Sequence, residues 1–144
     1  MTCLSILLYS QIKLNDTVEI FLIDEGYGFD FSHPIHIHGY SPYIIAMERH
    51  ANANPQSFFP GFNEDPENVL NKAVVKEWNE QGIIKKNLKD PPQKDTVAVP
   101  DAGFVIMRFR ADNPGFWIMH CHMSWHNHIG MALVLQVAFA KLTI

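Results

Sequence analysis

The sequence predicts an all-β fold, an antiparallel sandwich or barrel of short strands with a short connecting helix, and three observations carry that reading. Runs rich in β-branched and aromatic residues recur along the chain. Gly, Pro and Asn-Asp breaks separate them, and a single segment reads as helical. At 144 residues, with 47% hydrophobic side chains, the chain has the size of one domain with a continuous core.

The elements follow in order. Residues 1–16 read as a ragged segment or partial strand: the apolar stretch Leu4 to Tyr9 lacks a basic leader and a small-residue cleavage site, so it does not read as a secretory signal. After the Asn15-Asp16 turn, Thr17–Ile23 suits a strand whose second half is apolar on both faces. Gly26, Gly28 and Asp30 mark a loop before Pro34, after which His36-Ile37-His38 opens the next strand, continuing to Tyr43–Met47. Asn52, Asn54, Pro55, Pro60 and Gly61 argue for a surface excursion, and Asn68–Gln81 for a helix started by the polar residues 64–68 and stopped by Gly82. Asn87 to Pro92 reads as a stiff crossing. Thr96–Val99 and Phe104–Arg110 are strands flanking the turn Pro100–Gly103, with Met107 and Phe109 on one face and Ile106, Arg108 and Arg110 on the other. Asn113-Pro114-Gly115 then turns the chain into the strand Phe116–His122, and Met131–Val137 is the last strand.

Charge excludes some functions. A net charge of −4, with eleven Lys and Arg scattered along the chain, offers no basic stripe for phosphates, so nucleic acid is not expected as a partner. No apolar run approaches the ~20 residues of a membrane span. Asn15-Asp16-Thr17 matches the N-glycosylation pattern, which matters only for an exposed site on a secreted protein.

The chemistry is concentrated in two clusters, His33-Pro34-Ile35-His36-Ile37-His38-Gly39 and His120-Cys121-His122-Met123-Ser124-Trp125-His126, which with His128 hold seven of the eight histidines. Imidazoles with one soft thiolate suit copper or zinc, not magnesium or calcium. If His120-Cys121-His122 is extended, the strand period of two sends both histidines to one side and Cys121 to the other. That grouping gives His33, Cys121 and His126 to a mononuclear centre, with Met131 arriving as a weak axial thioether, and His36, His38, His120 and His122 to a second, polynuclear one. Inward imidazoles without partners would be a costly core, which metal ligation would relieve. Cys121, enclosed by histidines, is better used as a metal thiolate than in a disulfide with Cys3.

The plainer readings are packing for Met47, Met107, Met119, Met123, Phe116 and Trp117, and ordinary surface histidines for His50 and His128. Trp125 reads as packing or as a stacking platform for substrate. Asp24 and Glu25 read as a loop cap or as groups that orient ligands or assist proton movement.

At these residues the chain resembles the C-terminal cupredoxin domain of multicopper oxidases, particularly the laccase-like branch. HPIHIHG at 33–39 and HCHMSWHNHIGM at 120–131 look like that family's two carboxy-terminal copper signatures, and the similarity runs from about Thr17 to Val137. The resemblance implies a cupredoxin-like Greek-key sandwich or barrel over residues 17–140, incomplete at its N-terminus. It implies type 1 copper on His33, Cys121, His126 and Met131, type 2 copper on His36, and a type 3 pair on His38, His120 and His122. The catalytic set is then His33, Cys121, His126, His120 and His122. The implied activity is one-electron oxidation of phenols, aromatic amines or ferrous iron coupled to reduction of dioxygen to water. The implied partners are dioxygen, a small electron donor, and the N-terminal cupredoxin domain of a larger three-domain, extracellular parent that completes the type 2 and type 3 cluster. The alternatives are a small type 1 blue-copper electron carrier, which leaves the second histidine set unused, and a noncatalytic metal-binding module, which explains still less.

Overall fold

In the computed structural model, residues 9–26, 32–49 and 70–138 are described. They form eight strands and two helices: β1 (Tyr9–Ile12), β2 (Thr17–Ile23), β3 (His33–Ile37), β4 (Tyr43–Arg49), α1 (Lys72–Glu80), β5 (Thr96–Val99), β6 (Gly103–Arg110), β7 (Gly115–Cys121), α2 (Ser124–His128) and β8 (Ala132–Val137). One sheet has five strands in the order β1-β8-β7-β3-β5, and the other has three in the order β2-β6-β4.

Alternation along the strands builds the core between the sheets. Leu22, Val105, Met107 and Phe109 from the three-stranded sheet meet Ile35, Ile37, Val99, Met119, Cys121, Leu135 and Val137 from the other. Burying each large apolar side chain contributes roughly 1.5–3 kcal/mol. The residues of opposite parity on β2 and β6, Phe21, Ile23, Phe104 and Ile106, face a second cluster with Leu70, Val75 and Ile84, so α1 packs on the back of the smaller sheet. Phe21–Ile23 of β2 and Phe104–Met107 of β6 are therefore apolar on both faces because both faces are covered there.

Three sequence expectations need correction. The sheets are mixed, not purely antiparallel: β1 runs parallel to β8, with Tyr9 opposite Val134 and Ile12 opposite Val137. These strands lie at opposite ends of the chain and need no hairpin, so parallel pairing is open to them. His36-Ile37-His38 does not run on into Tyr43–Met47. β3 belongs to the five-stranded sheet and β4 to the other, because Gly39, at φ +73°, turns the chain between them. A Cβ on Gly39 would stand 2.2 Å from Trp117 Cε3, so the turn has no room for a side chain there. The helix starts at Lys72, capped by Asn71, whose side chain accepts from the N–H groups of Ala73 and Val74. The polar segment 64–68 expected to start it lies outside the described residues, as do Leu4 and the excursion over 50–61.

Arg108 and Arg110 lie on the expected strand face. Arg108 donates to Glu19 Oε2 at 2.6 Å through Nη2 and at 3.0 Å through Nε, and Lys86 Nζ donates to Glu19 Oε1 at 2.6 Å. Burial pushes the Glu19 carboxyl up, but these two cations outweigh it and hold it below its ordinary value.

Candidate metal centre

The register of β3 against β7 sets the two histidine groups. Ile35 lies opposite Cys121 and His36 opposite His120. Odd-numbered residues at this end face the core and even-numbered ones the outside, so Cys121 is fully buried while His120 is only half-buried. The ladder continues past the strand end, where the His122 N–H donates to Pro34 O at 2.7 Å.

On the core side, Cys121 Sγ stands 3.5 Å from His126 Nδ1 and 4.0 Å from His33 Nδ1, and the two Nδ1 atoms are 3.1 Å apart. Among the described residues these form the one group of three or more His, Cys, Asp or Glu side chains whose ligand atoms all lie within 4.8 Å of one another. The loop after β7 brings His126 round. α2, which the sequence did not suggest, spans only Ser124–His128 and has no side-chain N-cap. The Cys121 N–H donates to Met131 O and the Met131 N–H to His126 O, each at 2.9 Å, closing the loop on itself. Met131 lines the same small cavity, of about 10 Å³, as His33, Asp24 and Val99.

The donor set fits copper on its own chemistry: two imidazole nitrogens and one thiolate sulfur converge, with a thioether-bearing residue beside them. Burial pushes the Cys121 thiol up, against a backbone hydrogen bond from Met123, so a thiolate here needs a cation in place of its proton. Burial also lowers His126, and the neighbouring His33 lowers it further against a raising contribution from Asp24. Both favour neutral imidazole, the ligating form.

The outer face carries His36, His38, His120 and His122. His38 Nε2 lies 3.2 Å from His120 Nε2. The His36 ring centroid is 4.8 Å from that of His38, 5.7 Å from His120 and 6.1 Å from His122. His36 Nδ1 is anchored 3.0 Å from both Asp95 O and Thr96 Oγ1, and His120 Nδ1 lies 3.0 Å from Cys121 O, so each ring turns its Nε2 away from those anchors. The sequence reading of an inward, buried set is corrected here. His38 and His122 are exposed, and His36 and His38 line an open cleft of about 380 Å³. His38 sits below the ordinary histidine value through desolvation and the adjoining imidazoles His36, His120 and His122.

The structure thus gathers the residues singled out in the sequence into two groups on opposite faces of β7. Trp125 is exposed on α2, and His128 Nδ1 caps its own helix at Ser124 O. Met107 and Met119 are core residues. The multicopper oxidase family profile matches residues 9–140.

The chain belongs to the multicopper oxidase family.

Its relatives include Laccase-5 of Arabidopsis thaliana, 39% identical over 127 residues, a match covering 88% of this chain and 18% of that protein. Among solved structures it is similar to the laccase of Botrytis aclada, with 29% identity and a TM-score of 0.63 over 90% of this chain and 19% of that one. It is also similar to Fet3p, described as a multicopper oxidase that functions in iron import, with 28% identity and a TM-score of 0.62 over 90% of this chain and 21% of that one. The chain spans under a fifth of the length of the curated laccase named here. It is a cupredoxin-like multicopper oxidase domain related to laccases, and its His33, Cys121, His126 triad, with Met131 nearby, is a copper-binding cluster consistent with a complete type 1 site. Among the described residues, no helix is long and apolar enough to cross a membrane.

Proposed function

We propose that this chain is the carboxy-terminal copper domain of a laccase-like oxidase, coupling one-electron oxidation of phenolic or related donors to reduction of dioxygen to water. Its copper-binding body covers residues 17–140, a Greek-key sandwich, to which the preceding segment 1–16 adds β1 alongside β8. The observation that carries this reading is the back-to-back arrangement: Cys121 Sγ faces the core with His33 and His126, while its neighbours His120 and His122 gather with His36 and His38 on the outer face. A solitary structural metal would have no use for the second set.

His33, Cys121 and His126 would hold the type 1 copper with Met131 beside them, His36 the type 2 copper, and His38, His120 and His122 the type 3 pair. Bound copper would supply reversible one-electron chemistry at the first set and the electrons for oxygen reduction at the second. The chain's own residues do the rest. The hydrophobic wall around Cys121 excludes water from the thiolate. The hydrogen bonds at His36 Nδ1 fix that ring with Nε2 free. The peptide links from Cys121 to His120 and His122 form a short covalent route between the two sets. The open cleft beside His36 and His38 is where an N-terminal cupredoxin domain of the parent would bring further histidines. Kinship with laccases supports an extracellular parent.

Copper titration tests the first half of this reading. The chain should take up copper with an intense visible thiolate band that Cys121→Ser removes, and zinc uptake without that band would overturn it. Oxygen uptake with a phenolic donor by the full-length parent tests the second half. A small type 1 electron carrier is the second reading, favoured by the single fully convergent ligand group among the described residues. Copper uptake by a parent that consumes no oxygen would select it.

A further inference from the structure

We propose that Asp24 is a positioning residue for the copper pocket: it fixes which ring nitrogen of His33 carries the proton and so which one faces the metal. The inference rests on His33 being a copper ligand and adds a constraint from the opposite sheet.

Asp24 follows directly on β2, so it reaches the pocket from the three-stranded sheet while His33 belongs to the five-stranded one. It is held twice. Its backbone N–H donates to Gly103 O at 2.9 Å, and its Oδ1 accepts the Gly26 N–H at 2.8 Å. Gly26 has φ +75°, and a Cβ on it would meet Ala102 Cβ at 2.6 Å, so the turn supplying that N–H needs glycine. The other oxygen, Oδ2, is buried without an aligned hydrogen bond and stands 3.1 Å from His33 Nε2. Across the same ring, His33 Nδ1 faces His126 Nδ1 at 3.1 Å and Cys121 Sγ at 4.0 Å.

A neutral imidazole has one N–H, and an ionised carboxylate only accepts. With the proton on Nε2, the positive end of the N–H dipole stands beside Oδ2 at 3.1 Å, an electrostatic contact that needs no aligned hydrogen bond, and the Nδ1 lone pair is left on the side of the other ligands. With the proton on Nδ1, a lone pair would face a buried carboxylate oxygen and the ligating position would be blocked. Leaving a buried charged acceptor unpaired costs more than leaving a neutral one so. The Asp24 side chain is 11% exposed, so solvent screens little of this preference. A carboxylate behind a ligating imidazole also makes that ligand more basic, which favours the oxidised, more positive state of a bound metal.

Asp24→Asn in the full chain is a directed test. The Gly26 N–H still demands an acceptor, so the amide oxygen stays with it and the NH₂ group is turned toward His33 Nε2, opposing a proton there. Cu(II) affinity should fall 10–100-fold. The oxidised-to-reduced ratio at a fixed donor potential should shift at least tenfold toward reduced, about 59 mV for a one-electron couple. A folded Asn variant with unchanged affinity, thiolate band and potential overturns the proposal. Should that variant not fold, ¹⁵N NMR of the unaltered chain without metal, at a pH where the ring is neutral, decides: a His33 proton on Nε2 supports the assignment, and one on Nδ1 overturns it. The NMR experiment involves no copper, so its failure is distinguishable from failure of the copper reading, which would appear as a missing thiolate band in the unaltered chain.

Discussion

The two faces of β7 present the same residue type under opposite conditions. On the core face, Cys121 is fully buried and its partners His33 and His126 are half-buried, with ligand atoms already converged. On the outer face, four imidazoles are close in space, yet two are exposed and the cleft beside them is open. Two neighbouring strands, β3 and β7, and the segment after β7 complete the first arrangement. The second is left open on the side facing solvent. Burial by the chain's own core thus separates ligand atoms that this domain already converges from imidazoles that it leaves open to solvent.

The sharpest way to break this comparison is a pair of substitutions on opposite faces. Cys121→Ser should abolish the copper–thiolate absorption altogether, whereas His36→Ala should leave that band intact and abolish oxygen uptake by the parent enzyme. Loss of the band in His36→Ala would mean that the two faces are not separate. Absorption spectra and an oxygen electrode read both outcomes.

Next in size is the turn that carries the chain from β3 to the other sheet. Gly39→Ala forces a Cβ into the Trp117 ring at a left-handed φ of +73°. A loss of roughly 2–4 kcal/mol in denaturant unfolding is expected. Because Gly39 adjoins His38, the outer set should be disturbed while the visible band survives.

Met131→Leu should keep the copper and raise its reduction potential, since removing a weak axial thioether destabilises the oxidised state. Spectroelectrochemistry checks the direction; an unchanged potential would reduce Met131 to packing in its small cavity.

The smallest effect belongs to a residue remote from both faces. Glu19→Gln should cost about 1 kcal/mol at neutral pH by stripping the charge from the pairs with Arg108 and Lys86. The folded carboxyl lies below the ordinary value of 4.5. Its stabilisation is therefore fully present above that value and disappears as pH falls through the lowered, folded one. Denaturation curves from pH 7 down to 3 should show a gentler acid slope for the variant, with the copper spectrum at neutral pH unaltered.

Much of this was legible because strand parity is local. The order His120-Cys121-His122 is enough to separate a thiol from its neighbours, and the patterns of Thr17–Ile23 and Thr96–Val99 coincide with β2 and β5. α2 was not legible, because five residues with no side-chain cap carry no periodicity. The exposure of His38 and His122 was hidden for a different reason: which elements cover a face is a property of the whole fold, not of the residues on it. The parallel pairing of β1 with β8 joins opposite ends of the sequence and leaves no local sign. The contact of Asp24 with His33 depends on two sheets meeting, so the sequence could offer only a loop cap or a ligand-orienting group.

The segment from Cys121 to Met131 is tied to itself by the hydrogen bonds Cys121 N–H to Met131 O and Met131 N–H to His126 O. It behaves as a cassette plugged into two strand ends. Its internal length sets the bite of the thiolate and imidazole, so insertions or deletions there would retune the metal while the sheets stay as they are.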